Sequence, residues 1–178
     1  MKNWLGNIFG GTRMAALTVG TTAPDFTLPT MDGKQFSLKD ALVRGPVLAA
    51  FFKISCPVCQ FAFPYLERIF KAYGNRNVTL VGISQNKKKD TAAFIKEYGV
   101  TFPVLLDDTD SYPASNAYGL TNVPSLFWIA PDGQIEISSV GWMRKEFDEI
   151  NQKAGATSGK APPAIFLPGE NVPEFRAG

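Results

Sequence analysis

The strongest constraint on this chain is an apolar run, Pro46-Val47-Leu48-Ala49-Ala50-Phe51-Phe52, followed closely by Cys56-Pro57-Val58-Cys59. The run reads as a buried strand. From Pro57 onward Val58, Ala62, Leu66, Ile69 and Tyr73 recur at helical spacing, so the two cysteines fall where a strand hands over to a helix. Pro57 suits the first helical position, where a missing N–H costs nothing. Cys56 is then at or just before the first turn, and Cys59 shares its face one turn deeper. Unpaired N–H groups and the positive dipole end at a helix start favour Cys56 as thiolate. Cys59 is within reach to close a disulfide, which is the arrangement thiol–disulfide exchange requires. The expectation is a dithiol/disulfide centre in which Cys56 attacks and Cys59 resolves.

Composition narrows the alternatives. With 178 residues the chain is long enough for one domain with its own core. Hydrophobic content of 45% and charged content of 19% are those of a soluble globular protein. Eighteen basic against 16 acidic side chains leave +2, too little to suggest a nucleic acid or a membrane surface as partner. There is no histidine, which excludes Ser-His-Asp and Cys-His catalysis and His-ligated metals. A zinc site on the cysteine pair would need two further ligands from carboxylates or a second subunit, so no metal is assigned. An inert, merely packed pair is the other bland reading.

Residues 1–19 read as an extension. Lys2, Trp4, Leu5 and scattered glycines form no apolar stretch long enough for a signal segment or a membrane span, and Met14 could serve as a start. The expected compartment is cytoplasmic. Phe26-Thr27-Leu28 and Gln35-Phe36-Ser37-Leu38 flank Asp32-Gly33, a hairpin signal, and Ser37 or Asp40 opens a short helical turn toward Val43. Pro64 is expected to interrupt and bend the helix Pro57–Tyr73, which ends at Gly74-Asn75. Val78 to Ser84 reads as a second buried strand, and Asp90–Tyr98 as an amphipathic helix stopped by Gly99. The lysines at 87–89 read as ordinary surface. Phe102 to Leu106 is strand-like, and Asp107-Asp108 reads as a loop or helix cap rather than a metal site. A short helix at Ser115–Tyr118 precedes a second Asp-Gly hairpin through Pro131-Asp132-Gly133, and Met143–Ala154 closes the domain as a helix. The fold class is α/β, a mixed sheet with helices on both faces over residues 20–154. Residues 155–178, rich in Pro and Gly, read as an irregular tail that Ile165-Phe166-Leu167 could anchor.

With that junction in place the chain resembles the thioredoxin-like superfamily, in the redoxin branch shared by AhpC/TSA and TlpA-like proteins. The likeness runs from about Gly20 to Trp142. It rests on Ala23-Pro24-Asp25-Phe26, Cys56-Pro57-Val58-Cys59, Pro64 five residues on, and Tyr118-Gly119-Leu120 running into Val123-Pro124-Ser125. The resemblance implies a thioredoxin-like fold, a cis peptide at Pro124 facing the cysteines, and Val123 backbone groups that receive an incoming peptide or thiol. It implies a protein disulfide substrate and a thiol electron donor, with no bound cofactor. Departures accompany it. Ala50 and Ala62 stand where thioredoxins and many TlpA-like proteins carry an Asp and a Glu, and Ser55 stands where many carry Trp. Deprotonation of Cys59 is then left to water or Lys53, the nearest cation to Cys56, although a lysine without a role is an equal reading.

Three functions remain open. The first is a thiol–disulfide oxidoreductase acting on protein disulfides. The second is a peroxiredoxin-like peroxidase with antioxidant activity; against it, the Pro-x-x-x-Thr-x-x-Cys pattern is absent whether Cys56 or Cys59 is taken as its cysteine. The third is a non-enzymatic binding module with incidental cysteines. The first is the expected one.

Overall fold

The computed structural model describes residues 15–178. Lys2, Trp4, Leu5 and Met14, weighed above as parts of an extension, lie outside the described residues. Residues 15–20 lie along the body: Leu17 N–H donates to the Tyr118 carbonyl (3.1 Å) and Gly20 N–H to that of Ile135 (2.9 Å).

The first Asp-Gly hairpin is β1 (Thr27–Pro29) paired with β2 (Gln35–Ser37). Helix α1 (Leu38–Leu42) follows directly, its start capped by the Ser37 hydroxyl, which accepts the Asp40 N–H. Strand β3 (Val47–Phe52) leads into α2 (Pro57–Tyr73), which ends at Gly74 with φ of 64°. Helix α2 continues through Pro64 rather than being interrupted there. The proline costs one amide donor, and its neighbours Phe63, Tyr65 and Leu66 are all packed in the core. Strand β4 (Thr79–Ser84), helix α3 (Lys88–Glu97) and strand β5 (Val104–Leu106) complete the parallel half. Helix α4 (Pro113–Ala117) precedes β6 (Ser125–Ile129) and β7 (Ile135–Val140), the second hairpin. Asp107 caps α4, accepting the Ala114 and Ser115 N–H groups at 3.2 and 2.9 Å, so the cap reading of Asp107 holds.

The central sheet has the order β5-β4-β3-β6-β7, with β3, β4 and β5 parallel and β6 antiparallel to both its neighbours. This is the mixed sheet, helices on both faces, that the resemblance implies. Side-chain alternation along β3 explains its unbroken apolar sequence. Leu48, Ala50 and Phe52 face one core with α2, Phe94 and Phe147; Val47, Ala49 and Phe51 face another with Phe26, Leu38 and Tyr118. Each fully buried ring in these layers contributes on the order of 2 kcal/mol.

Two short strands carry no sequence signal: β8 (Trp142–Met143) pairs antiparallel with β9 (Phe175–Arg176). Between them α5 runs Arg144–Ser158, past the Ala154 expected from sequence, and ends at Gly159 in the left-handed region. The tail after it is irregular except for β9 but is fastened to the body. Arg68 donates to the Ile165 carbonyl (2.7 Å) and grips Glu170 through both terminal guanidinium nitrogens. Among the described residues no helix is long and apolar enough to cross a membrane.

The Arg68 fork and the Leu167 N–H hold the Glu170 carboxyl at about 2, below its ordinary 4.5. A carboxyl depressed in the folded state stabilises the fold above its unfolded value and loses that contribution as pH falls through the folded one. Glu170→Gln should therefore lower the unfolding midpoint slightly at neutral pH. That deficit should close between pH 4.5 and about 2, where the unsubstituted protein gives up the same interaction. Thermal unfolding of both proteins across that range checks this, and a constant gap would contradict it.

Candidate active site

Cys56 is the N-cap of α2, with extended backbone (φ −82°, ψ 114°), and its sulfur takes the place that a Ser or Asp oxygen usually fills. It accepts the Cys59 N–H at 3.1 Å, one of the orphan donors of the first turn. On its other side the thiol donates to the Val123 carbonyl at 3.2 Å. Pro57 occupies the first turn as the sequence implies, and Ser55 and Pro57 are exposed on either side of the half-buried Cys56.

Cys59 is fully buried, among Ala50, Phe52, Ala62 and Phe63. Burial pushes its thiol well above the ordinary range, and the neighbouring Cys56 side chain raises it further. The two positions that could have supplied a carboxylate, Ala50 and Ala62, are themselves fully buried in the same apolar cluster. The pair is therefore asymmetric: one sulfur partly open at the surface, one beneath it in hydrocarbon.

The Val123–Pro124 peptide is cis, as the resemblance implies. Pro124 is buried and Val123 half-buried. Lys53 is exposed. Its carbonyl accepts the Cys56 N–H at 3.2 Å, while its side chain lines a cavity of about 200 Å³ together with Gln85, Tyr112, Asn122 and Val123. The predicted residues Lys53, Ser55, Cys56, Pro57, Cys59, Val123 and Pro124 thus come together at one end of the sheet.

Two positioning residues escape the sequence reading. Asn86 accepts the Ile54 N–H through Oδ1 (3.0 Å), and Gln60 Nε2 donates to the Ile54 carbonyl (2.8 Å), so both polar groups of Ile54 are clamped just before Cys56. Gln60 directly follows the second cysteine. Asn86 lies in a polar turn with nothing in its local sequence to mark it.

A family model described as AhpC/TSA family matches residues 19–138. The thiol-disulfide oxidoreductase ResA of Bacillus subtilis (strain 168) is 33% identical over 148 residues, 81% of each chain. ResA of Geobacillus thermodenitrificans (strain NG80-2) is 31% identical over 136 residues, 76% of each chain. The crystal structure of a thiol:disulfide interchange protein of the thioredoxin family from Chlorobium tepidum TLS superposes with a TM-score of 0.64 at 30% identity, covering 78% of this chain and 99% of that one.

Asn86→Ala removes the acceptor for the Ile54 N–H in a partly buried site. It should cost about 1–2 kcal/mol of stability and speed hydrogen exchange at Ile54. Denaturant unfolding with amide exchange checks this; unchanged protection at Ile54 would show that the clamp does not hold the loop.

Proposed function

We propose, for a chain that belongs to the AhpC/TSA family and is a thiol–disulfide oxidoreductase, that Cys56 and Cys59 reduce or exchange disulfides in protein partners. The observation that carries this reading is the asymmetry of the pair: Cys56 half-exposed between an amide donor and the Val123 carbonyl, Cys59 fully buried with its thiol raised.

Two exchanges follow from it. The deprotonated Cys56 sulfur attacks one sulfur of a partner disulfide lying against Val123 and Pro124. A Cys56–partner disulfide forms as the partner's own disulfide breaks, and the second partner sulfur leaves as thiolate. Cys59 then gives its proton to water and attacks the Cys56 sulfur. The mixed disulfide breaks, the partner departs with both sulfurs reduced, and two electrons have passed from the pair, now joined as Cys56–Cys59. An external thiol donor returns the pair to the dithiol form by the reverse chemistry.

Burial sets the order. A buried thiol makes a poor first nucleophile, but it is already beside the sulfur it must attack, so its effective concentration is high. The cavity beside Lys53 and Val123 gives the partner segment room on one flank.

Cys59→Ser should trap a covalent adduct with insulin through Cys56, and Cys56→Ser should trap none. In the unsubstituted protein the release of partner from the mixed disulfide should accelerate by about tenfold per pH unit above neutrality, because one proton must leave a thiol whose folded value is raised. Quenched-flow trapping followed by mass spectrometry reads both. An adduct on Cys59, or a release rate independent of pH, would overturn the assignment.

A further inference from the structure

The last residues of the chain return to the cysteine pair. Val123 offers its carbonyl to the Cys56 thiol at 3.2 Å, and Gly178 lies against the same oxygen: a Cβ built on Gly178 would stand 2.5 Å from it. The Gly178 carbonyl accepts the Asn122 Nδ2–H at 2.9 Å. Strand β9 sets this path, and Gly141, at φ of 78°, allows it. A Cβ on Gly141 would meet the Arg176 carbonyl at 2.5 Å, so the tail backbone comes closer than any side chain would permit. The Arg176 guanidinium sits 4.2 Å over the ring of Phe61, in the first turns of α2.

The tail is held unevenly. Upstream, Trp142 Nε1–H donates to the Pro173 carbonyl (2.7 Å) and Arg144 pairs with Glu174 (3.0 Å), the indole being fully buried. Residues 174–178 are all exposed, Phe175 at 58%, and backbone bonds open to solvent are the first to yield in local opening. Neighbouring strands need about 4.8 Å of separation, so an incoming peptide cannot pair along the flank of Val123 that Gly178 already occupies. Beside Lys53 and Val123 a cavity of about 200 Å³ stays open.

We propose that residues 175–178 form a specificity-determining strap. Lying across one side of the Val123 carbonyl, it admits small disulfides to Cys56 and excludes bulky protein disulfides until it lifts. The idea rests on the exchange reading for its consequence, but its geometry is testable without it.

The test compares the full chain with a variant ending at Val172 and with Arg176→Ala, which leaves the Trp142–Pro173 anchor intact. Cys56 is alkylated with N-ethylmaleimide and with a polyethylene-glycol-linked maleimide, and insulin reduction is followed in parallel. If the strap is open about one part in ten of the time, freeing it should raise the rate with the bulky reagent by about tenfold and leave the small reagent within about twofold. Insulin reduction should rise with the bulky reagent. An unchanged ratio of bulky to small rates in Arg176→Ala overturns the strap, as does a fall in both, which would make the tail part of the site's support. Should the ratio rise while no form of the protein reduces insulin, the strap stands and the protein-disulfide reading fails. Should the ratio stay fixed while insulin is reduced, the reverse holds.

Discussion

One sulfur held between a helix-start amide and a loop carbonyl is the arrangement on which the rest of the structure converges. Cys56 accepts from Cys59 and donates to Val123, residues 67 positions apart along the chain in the second case. Strand direction brings them together. Because β6 runs antiparallel to β3, with Phe51 opposite Ser125, the end of β3 that leads to Cys56 meets the start of β6 that follows Pro124. Parallel pairing of β4, with Phe52 opposite Ser84, delivers Asn86 to the same end, and antiparallel pairing of β7, with Ser125 opposite Val140, delivers Gly141. Four loops therefore meet at one end of the sheet as a consequence of strand order, and each contributes a contact: the cysteines, the clamp on Ile54, the cis proline, and the seat for the tail.

The chemistry of the pair is governed by what surrounds the deeper sulfur. The Cys59 thiol is fully buried in the cluster that holds Ala50, Phe52, Ala62 and Phe63, and its raised value follows from that burial first. In the proposed exchange this division assigns capture to the presented sulfur and a proton-requiring displacement to the enclosed one. Alanine at both 50 and 62 is part of this division, since a carboxylate at either place would offer the Cys59 proton a local acceptor.

The site was largely legible because its signals are local. A C-x-x-C after an apolar strand, with Pro57 at the first helical position, fixes both sulfurs relative to one helix start, and Asp-Gly at 32–33 and 132–133 marks both hairpins. What the sequence hid depends on distant partners. Strands of two residues, as in β8 and β9, are too short to have a period, and they exist because Trp142 and Arg176 lie opposite one another. Helix α5 outruns its expected end because Gly155, the first residue of the expected tail, is a close-packing point within the helix: a Cβ there would lie 2.8 Å from the Lys160 carbonyl and 3.2 Å from the Tyr73 hydroxyl. Asn86 and Asn122 sit in polar turns of the kind any surface carries, and only the fold reveals that one braces the loop before Cys56 and the other holds Gly178.

The central claim is that the fold makes the two sulfurs unequal, one presented and one enclosed. The direct test is alkylation of the native, reduced protein with iodoacetamide at neutral pH, with each cysteine mapped by peptide mass spectrometry before and after denaturation. Label on Cys56 alone in the native protein, with Cys59 taking label only once the chain is unfolded, is the result this account predicts. Equal labelling of both cysteines in the native protein, or preferential labelling of Cys59, would contradict it.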